Sequence, residues 1–145
     1  MRSPEQVIWD LMQGWLRKAE EDFQVARELM EGARISYSPV GFHGQQAAEK
    51  FLKGLLTRHQ IPFPKTHDIE ELLVLAETAT PGIHDELREA EILSPYGVEI
   101  RYPGERPDLD QSQGAEAVRL AAQVRMAVLQ RLDAYLRAGR PGAPS

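Results

Sequence analysis

Cysteine is absent from this 145-residue chain. Disulfides, zinc–thiolate centres and cysteine nucleophiles are therefore excluded. The four histidines, His43, His59, His67 and His84, do not follow the spacing of a histidine-ligated zinc site, so no metal and no cofactor is assigned. Long apolar runs are also missing. The opening "MRSPEQVIWDLMQGWL" lacks the apolar stretch of a signal peptide, and nowhere do enough apolar residues run together to cross a bilayer. A cytoplasmic location without membrane contact is expected. Positive charge is scarce as well. The net charge is −5, which argues against a sequence-independent grip on nucleic-acid backbone. Strand-type alternation is almost absent.

What remains is helical. Hydrophobic content of 42% and charged content of 27% suit an ordinary globular chain, and the length suits one domain. Ser3-Pro4-Glu5-Gln6 is a helix start, with a capping serine, a proline at the first helical position and Gln6 placed for a capping box. Apolar residues then recur at helical spacing through Trp15, Leu16, Ala19, Phe23, Ala26, Leu29 and Met30. Gly14 marks a possible bend and Gly32 a stop. Ser38-Pro39 repeats the cap-then-proline start for a helix reaching about His59, before "IPFP". "THDIEEL" opens a short third helix, with Asp68 as cap and Glu71 three residues on, ending near Thr78. A fourth short helix is predicted from Thr80-Pro81 to Ser94-Pro95. Residues 95–110 read as a long loop, partly extended at "VEIRYP". The last helix covers roughly 112–138. The fold class is all-α, an up-and-down bundle of three long and two short helices. The domain spans 1–138, with 139–145 a disordered tail.

The charges are distributed unevenly around these helices. On the second, His43, Gln46, Glu49, Lys50, Lys53 and Thr57 share an arc of ~120°. The opposite arc, ~200° wide, holds Ala47, Ala48, Phe51, Leu52, Gly54, Leu55 and Leu56. So wide an apolar face predicts a central helix, or one that also packs on a second subunit. Ala47, Ala48 and Gly54 would permit close approach of another helix. Asp22 falls within the apolar face of the first helix, and Arg125 within that of the last. A buried lone charge is costly, so both are expected to be partnered. They could pair with each other or reach the domain edge. Alternatively, Asp22 could orient His67 or Arg101, and Arg125 face an interface or ligand.

"FHGQQAAEKFLKGLL", followed by "THDIEEL" and then "RYP", resembles a HEPN domain (higher eukaryotes and prokaryotes nucleotide-binding). Ala19, Asp22, Phe23 and Ala26 match the "A-x-x-D-F-x-x-A" of its first helix, and the likeness runs from about residue 15 to 136. The resemblance implies a five-helix bundle, often a homodimer. It also implies association with small nucleotidyltransferase proteins, in toxin–antitoxin-like pairs, and either RNA cleavage or nucleotide binding. HEPN ribonucleases carry an Arg, then four to six residues of any kind, then a His. Here Arg101 matches the arginine of "RYP", but no His occurs after His84. No catalytic residue is therefore assigned.

Three readings stay open. In the first, the polar arc of the second helix (Gln46, Glu49, Lys50, Lys53) is met by His67, Arg101 and Tyr102 to bind a nucleotide or phosphate through charge-assisted donors. In the second, His43 or His67 replaces the missing histidine of a metal-independent ribonuclease. In the third, the chain is a protein–protein module with no small ligand. Against the first stands a plain alternative. Glu49–Lys53 and Gln46–Lys50 could be surface i,i+4 pairs worth only ~0.2–0.5 kcal/mol each.

Overall fold

A computed structural model describes residues 1–98, 103 and 106–142. Five α-helices and one 3₁₀ segment follow in order: α1 Pro4–Met30, α2 Ser38–Arg58, α3 Ile69–Glu77, α4 Ile83–Glu86, the 3₁₀ segment Arg88–Gly97, and α5 Gln111–Ala138. The described residues contain no strand. The all-α bundle is as expected, and no helix is long and apolar enough to cross a membrane among the described residues.

Local caps explain the helix starts. The Ser3 hydroxyl accepts from the Gln6 N–H while the Gln6 side chain accepts from the Ser3 N–H. Asp110 and Gln113 form the same reciprocal box at α5. Asp68 caps α3 by accepting from the Glu70 N–H. Ser38 departs from expectation. It is the first residue of α2 rather than its cap, and its hydroxyl instead accepts from the Leu109 N–H at 3.1 Å. Helix α1 runs unbroken through Gly14.

The predicted fourth helix is split. Only Ile83–Glu86 is α-helical, and the remainder winds as 3₁₀ through Pro95 to Gly97. Spacing supplies the reason. Leu87, Ala90, Leu93 and Tyr96 recur at every third residue, and a helix with three residues per turn stacks them in one stripe. Leu87, Ala90 and Leu93 are buried in the core, with Tyr96 packed against it.

Helix α2 is the axis of the bundle, packed by α1, α3, α5 and the 3₁₀ segment. Ala47, Ala48, Phe51, Leu52, Leu55 and Leu56 are all buried within the one chain. The width of the apolar arc is thus used up internally and by itself no longer calls for a second subunit. Glycine lets the neighbours come close. A Cβ at Gly44 would lie 3.2 Å from the Ala117 carbonyl oxygen on α5.

Beyond α5 the chain turns back on α1. Arg140 donates twice to Asp10, at 3.0 and 3.1 Å, and Gln6 donates to the Pro141 carbonyl. Bonds from Arg140 and then Arg2 lower the Asp10 carboxyl to about 2. Residues 139–142, placed in a disordered tail by the sequence reading, are therefore attached to α1, and 143–145 lie outside the described residues.

Two glycines should respond oppositely to substitution. Gly44→Leu should force α2 from α5 and cost ~1–3 kcal/mol. Nothing lies within 4 Å of a Cβ on Gly14. Gly14→Ala should therefore gain ~0.5–1 kcal/mol from helix propensity. Urea unfolding of the two variants checks both signs.

Candidate functional site

The polar arc of α2 divides into two networks. The first centres on Glu49, whose side chain is only 5% exposed although it sits midway along the central helix. Three donors converge on it: Gln45 Nε2 at 3.1 Å, Lys53 Nζ at 3.0 Å and His67 Nδ1 at 2.8 Å. Burial pushes the Glu49 carboxyl up, but the bonds from Gln45, His67 and Lys53 together outweigh it, and the net shift is downward. An ionised carboxylate only accepts, so His67 donates from Nδ1. Its side chain is 69% exposed, and Nε2 is left as the nitrogen available to a ligand.

Lys53 is equally enclosed. Its ammonium lies 5.5 Å from the centre of the Trp15 ring and 5.7 Å from that of Phe63. Both aromatic faces favour the cation there. The Glu49–Lys53 pair expected at i,i+4 exists, but as a buried pair rather than a surface one.

The second network joins α2 to α1. Asp22 accepts from His43 Nδ1 at 2.9 Å and also from the Lys50 ammonium. Asp22 is enclosed as expected, with 14% of its side chain exposed, but neither Arg125 nor His67 is its partner. Arg125 bonds Glu20 at 2.8 Å and is 40% exposed, so it is not a buried charge. On a helical wheel both residues fall within the apolar faces. Register between helices then put Lys50 and His43 opposite Asp22, and left the long Arg125 side chain free to reach the edge. Gln46 Nε2 donates to the side-chain Oε1 of Gln45 at 2.7 Å instead of pairing with Lys50.

Gln45 escaped the sequence reading. It is fully buried and bonds Glu49, Gln46 and the His67 carbonyl. The signal for it was weak, since a glutamine between Gly44 and Gln46 looks like any solvated helix residue. Gly97 packs against the same amide. A Cβ there would lie 2.8 Å from Gln45 Cδ, so a side chain at this position would displace the Gln45 amide. Arg101 and Tyr102 lie outside the described residues. Of the predicted site residues, Glu49, Lys53 and His67 are brought together, Lys50 belongs to the Asp22 network, and Gln46 touches the first network through Gln45. Among the described residues no group of three or more His, Asp or Glu is placed to hold a metal ion.

A model of the HEPN domain matches residues 12–132. The fold is similar to the crystal structure of an archaeal HEPN homologue, with a TM-score of 0.67 and 24% identity over 83% of this chain and 97% of that one. No curated protein matches.

The Glu49 network makes a sharp prediction. Glu49→Ala would leave the Lys53 ammonium buried without a counter-charge, and should cost ~3–5 kcal/mol of stability. The pH dependence has a fixed sign. The folded-state pKa is below the ordinary 4.5, so Glu49 contributes its full stabilisation above that value and loses it as pH falls through the folded pKa. Denaturation curves between neutral and acid pH should therefore be flatter for Glu49→Gln than for the parent. Equal acid slopes would show that Glu49 is not paired as described.

Proposed function

Because the chain belongs to the HEPN domain family, we propose that it is a nucleotide- or phosphate-binding module and not an efficient nuclease. One observation carries this reading. The Gln45 amide donates to the His67 carbonyl, and Gly97, four residues before Arg101, packs against the same amide. An exposed imidazole and the segment leading to the only "RYP" arginine thus start from one wall of α2.

The cations of α2 itself are not the ligand-binding groups in this reading. Lys53 is closed over by Glu49 and two aromatic rings, and Lys50 is neutralised by Asp22. Glu49 acts by holding the His67 ring in orientation. Arg101 supplies the charge-assisted donors to phosphate, with Tyr102 beside it in sequence. An arginine cannot exchange protons near neutral pH, because its pKa lies above ~12. Without a histidine at the family spacing, phosphate is held but not cleaved efficiently. The reading includes a homodimer and a small nucleotidyltransferase partner in a toxin–antitoxin-like pair. Both are drawn from the family likeness.

A second reading has one observation in its favour. His43 and His67 each place Nδ1 on a carboxylate, an arrangement that orients an imidazole for proton transfer. Either could serve a remodelled ribonuclease site.

Calorimetry at low salt separates these readings. A nucleoside phosphate should bind, its affinity should fall as salt rises, and Arg101→Ala should abolish the heat without changing the melting temperature. RNA incubated in chelator should remain intact. Rapid cleavage that is lost in His67→Ala or His43→Ala would establish the second reading instead.

A further inference from the structure

His67 is held as no other histidine of the chain is. Its Nδ1 lies 2.8 Å from Glu49 Oε1, and that carboxylate is buried and kept ionised by its bonds from Gln45, His67 and Lys53. The backbone is fixed as well, because the Gln45 amide donates to the His67 carbonyl at 2.9 Å. Nε2 stands on the other side of a ring that is largely exposed. Each of the other histidines lacks part of this arrangement. His43 also gives Nδ1 to a carboxylate, but its side chain is 28% exposed and Asp22 is shared with Lys50. His84 is bonded through Nε2, and to a partly exposed carboxylate, Glu70. His59 has no carboxylate partner among the described residues. Burial and then the neighbouring Arg58 lower its pKa, so its ring is a poorer base.

A neutral imidazole whose N–H is bonded to a carboxylate is a nucleophile at its other nitrogen. Attack by Nε2 puts positive charge on the ring, and the bond from Nδ1–H to Glu49 strengthens as that charge develops. Burial of the carboxylate gives the bond a weight that a surface pair lacks. The surroundings suit an electrophile that carries negative charge. Lys65, two residues before His67, is exposed and forms no ion pair among the described residues. Helix α3 starts two residues after His67, so the positive end of its dipole lies at this connection. Of the acidic groups there, Asp68 is engaged as the cap and Glu70 with His84, whereas Glu71 is exposed and opposes an anion.

We infer that His67 is a phosphoryl acceptor, taking phosphate on Nε2 from a small acyl phosphate. The Nε2 lone pair forms the N–P bond as the P–O bond to the acyl group breaks, and a carboxylate leaves with that bonding pair. No proton is lost. The Nδ1 hydrogen stays on the ring, bonded to Glu49, whose charge balances the cationic ring of the product. His67 makes the covalent bond, and Glu49 is a positioning residue. This inference goes beyond the nucleotide-binding reading and requires neither a base nor Arg101.

The test is incubation of the full chain with acetyl phosphate at neutral pH, read by peptide mass spectrometry under alkaline conditions and by phosphorus NMR. His67 should be phosphorylated at least about tenfold faster than His43, His59 or His84, the scale of one charge-assisted hydrogen bond to the ring. The NMR spectrum should show the Nε2 isomer. Glu49→Gln keeps a side-chain oxygen for Nδ1–H but removes the charge. It should slow labelling of His67 by a similar factor and leave the slow labelling of His84 as in the parent, a split that general loosening of the fold would not produce. If Glu49→Gln does not fold, the site selectivity and the isomer in the parent decide alone. Label spread evenly over the histidines, the Nδ1 isomer at His67, no phosphohistidine at all, or an unchanged His67 rate in folded Glu49→Gln would each overturn the assignment.

Discussion

A carboxylate buried at the middle of the central helix is the constraint on which the rest of the structure depends. Glu49 cannot be desolvated alone, since an unpaired buried charge costs more than a marginally stable domain can spare. Three donors must reach it. Lys53 comes from the next turn of the same helix, Gln45 from the turn before, and His67 from a different part of the chain. The third donor has topological consequences. It brings the connection after α2 back over the helix, and α3 begins immediately afterwards with Asp68 as its cap. The Gln45 amide completes the arrangement by holding the His67 carbonyl and seating Gly97.

The charges of Glu49, Lys50 and Lys53 on α2 are neutralised by ion pairs within the bundle. Lys53 is committed to Glu49 and the rings of Trp15 and Phe63, and Lys50 to Asp22. Arg58, the last cation of α2, has its guanidinium 3.9 Å from the centre of the Tyr135 ring. Among the described residues, Arg34 between α1 and α2 and His67 before α3 stand exposed in connections. This follows the general division in which a rigid scaffold supplies position and loops supply contacts. Two of α2's internal partners still reach outward. His43 and His67 each give one nitrogen to a carboxylate and retain exposed ring surface.

The close packing around α2 accounts for the wide apolar arc without a second chain. Gly44 admits the α5 backbone, and on the α1 side a Cβ at Gly54 would lie 3.1 Å from Leu16 Cδ2. Small residues at such crossings shorten the distance between helices and let large neighbours such as Phe51, Leu52 and Leu56 fill the remaining volume. The same economy appears in the 3₁₀ segment, where a tighter winding buries an i+3 stripe that an α-helix would have rotated away from the core.

The sequence by itself determined what depends on residues within about one helical turn. The capping box of Ser3 and Gln6, the Asp68 cap and the breaks after α1 and α2 were legible because a side chain and the N–H it satisfies lie two to four positions apart. The all-α class and the HEPN likeness followed from the order of such local patterns. The enclosure of Asp22 and the polar arc of α2 were also legible, since a helical wheel gives the face of a residue. Only the tertiary structure decided the partners. A wheel carries no information about the register of one helix against another, so it could not tell that Asp22 meets Lys50 and His43 rather than Arg125, or that Glu49 draws in His67. Gln45 was hidden for the same reason. An amide becomes structural only when segments far apart in the chain are brought within hydrogen-bonding distance.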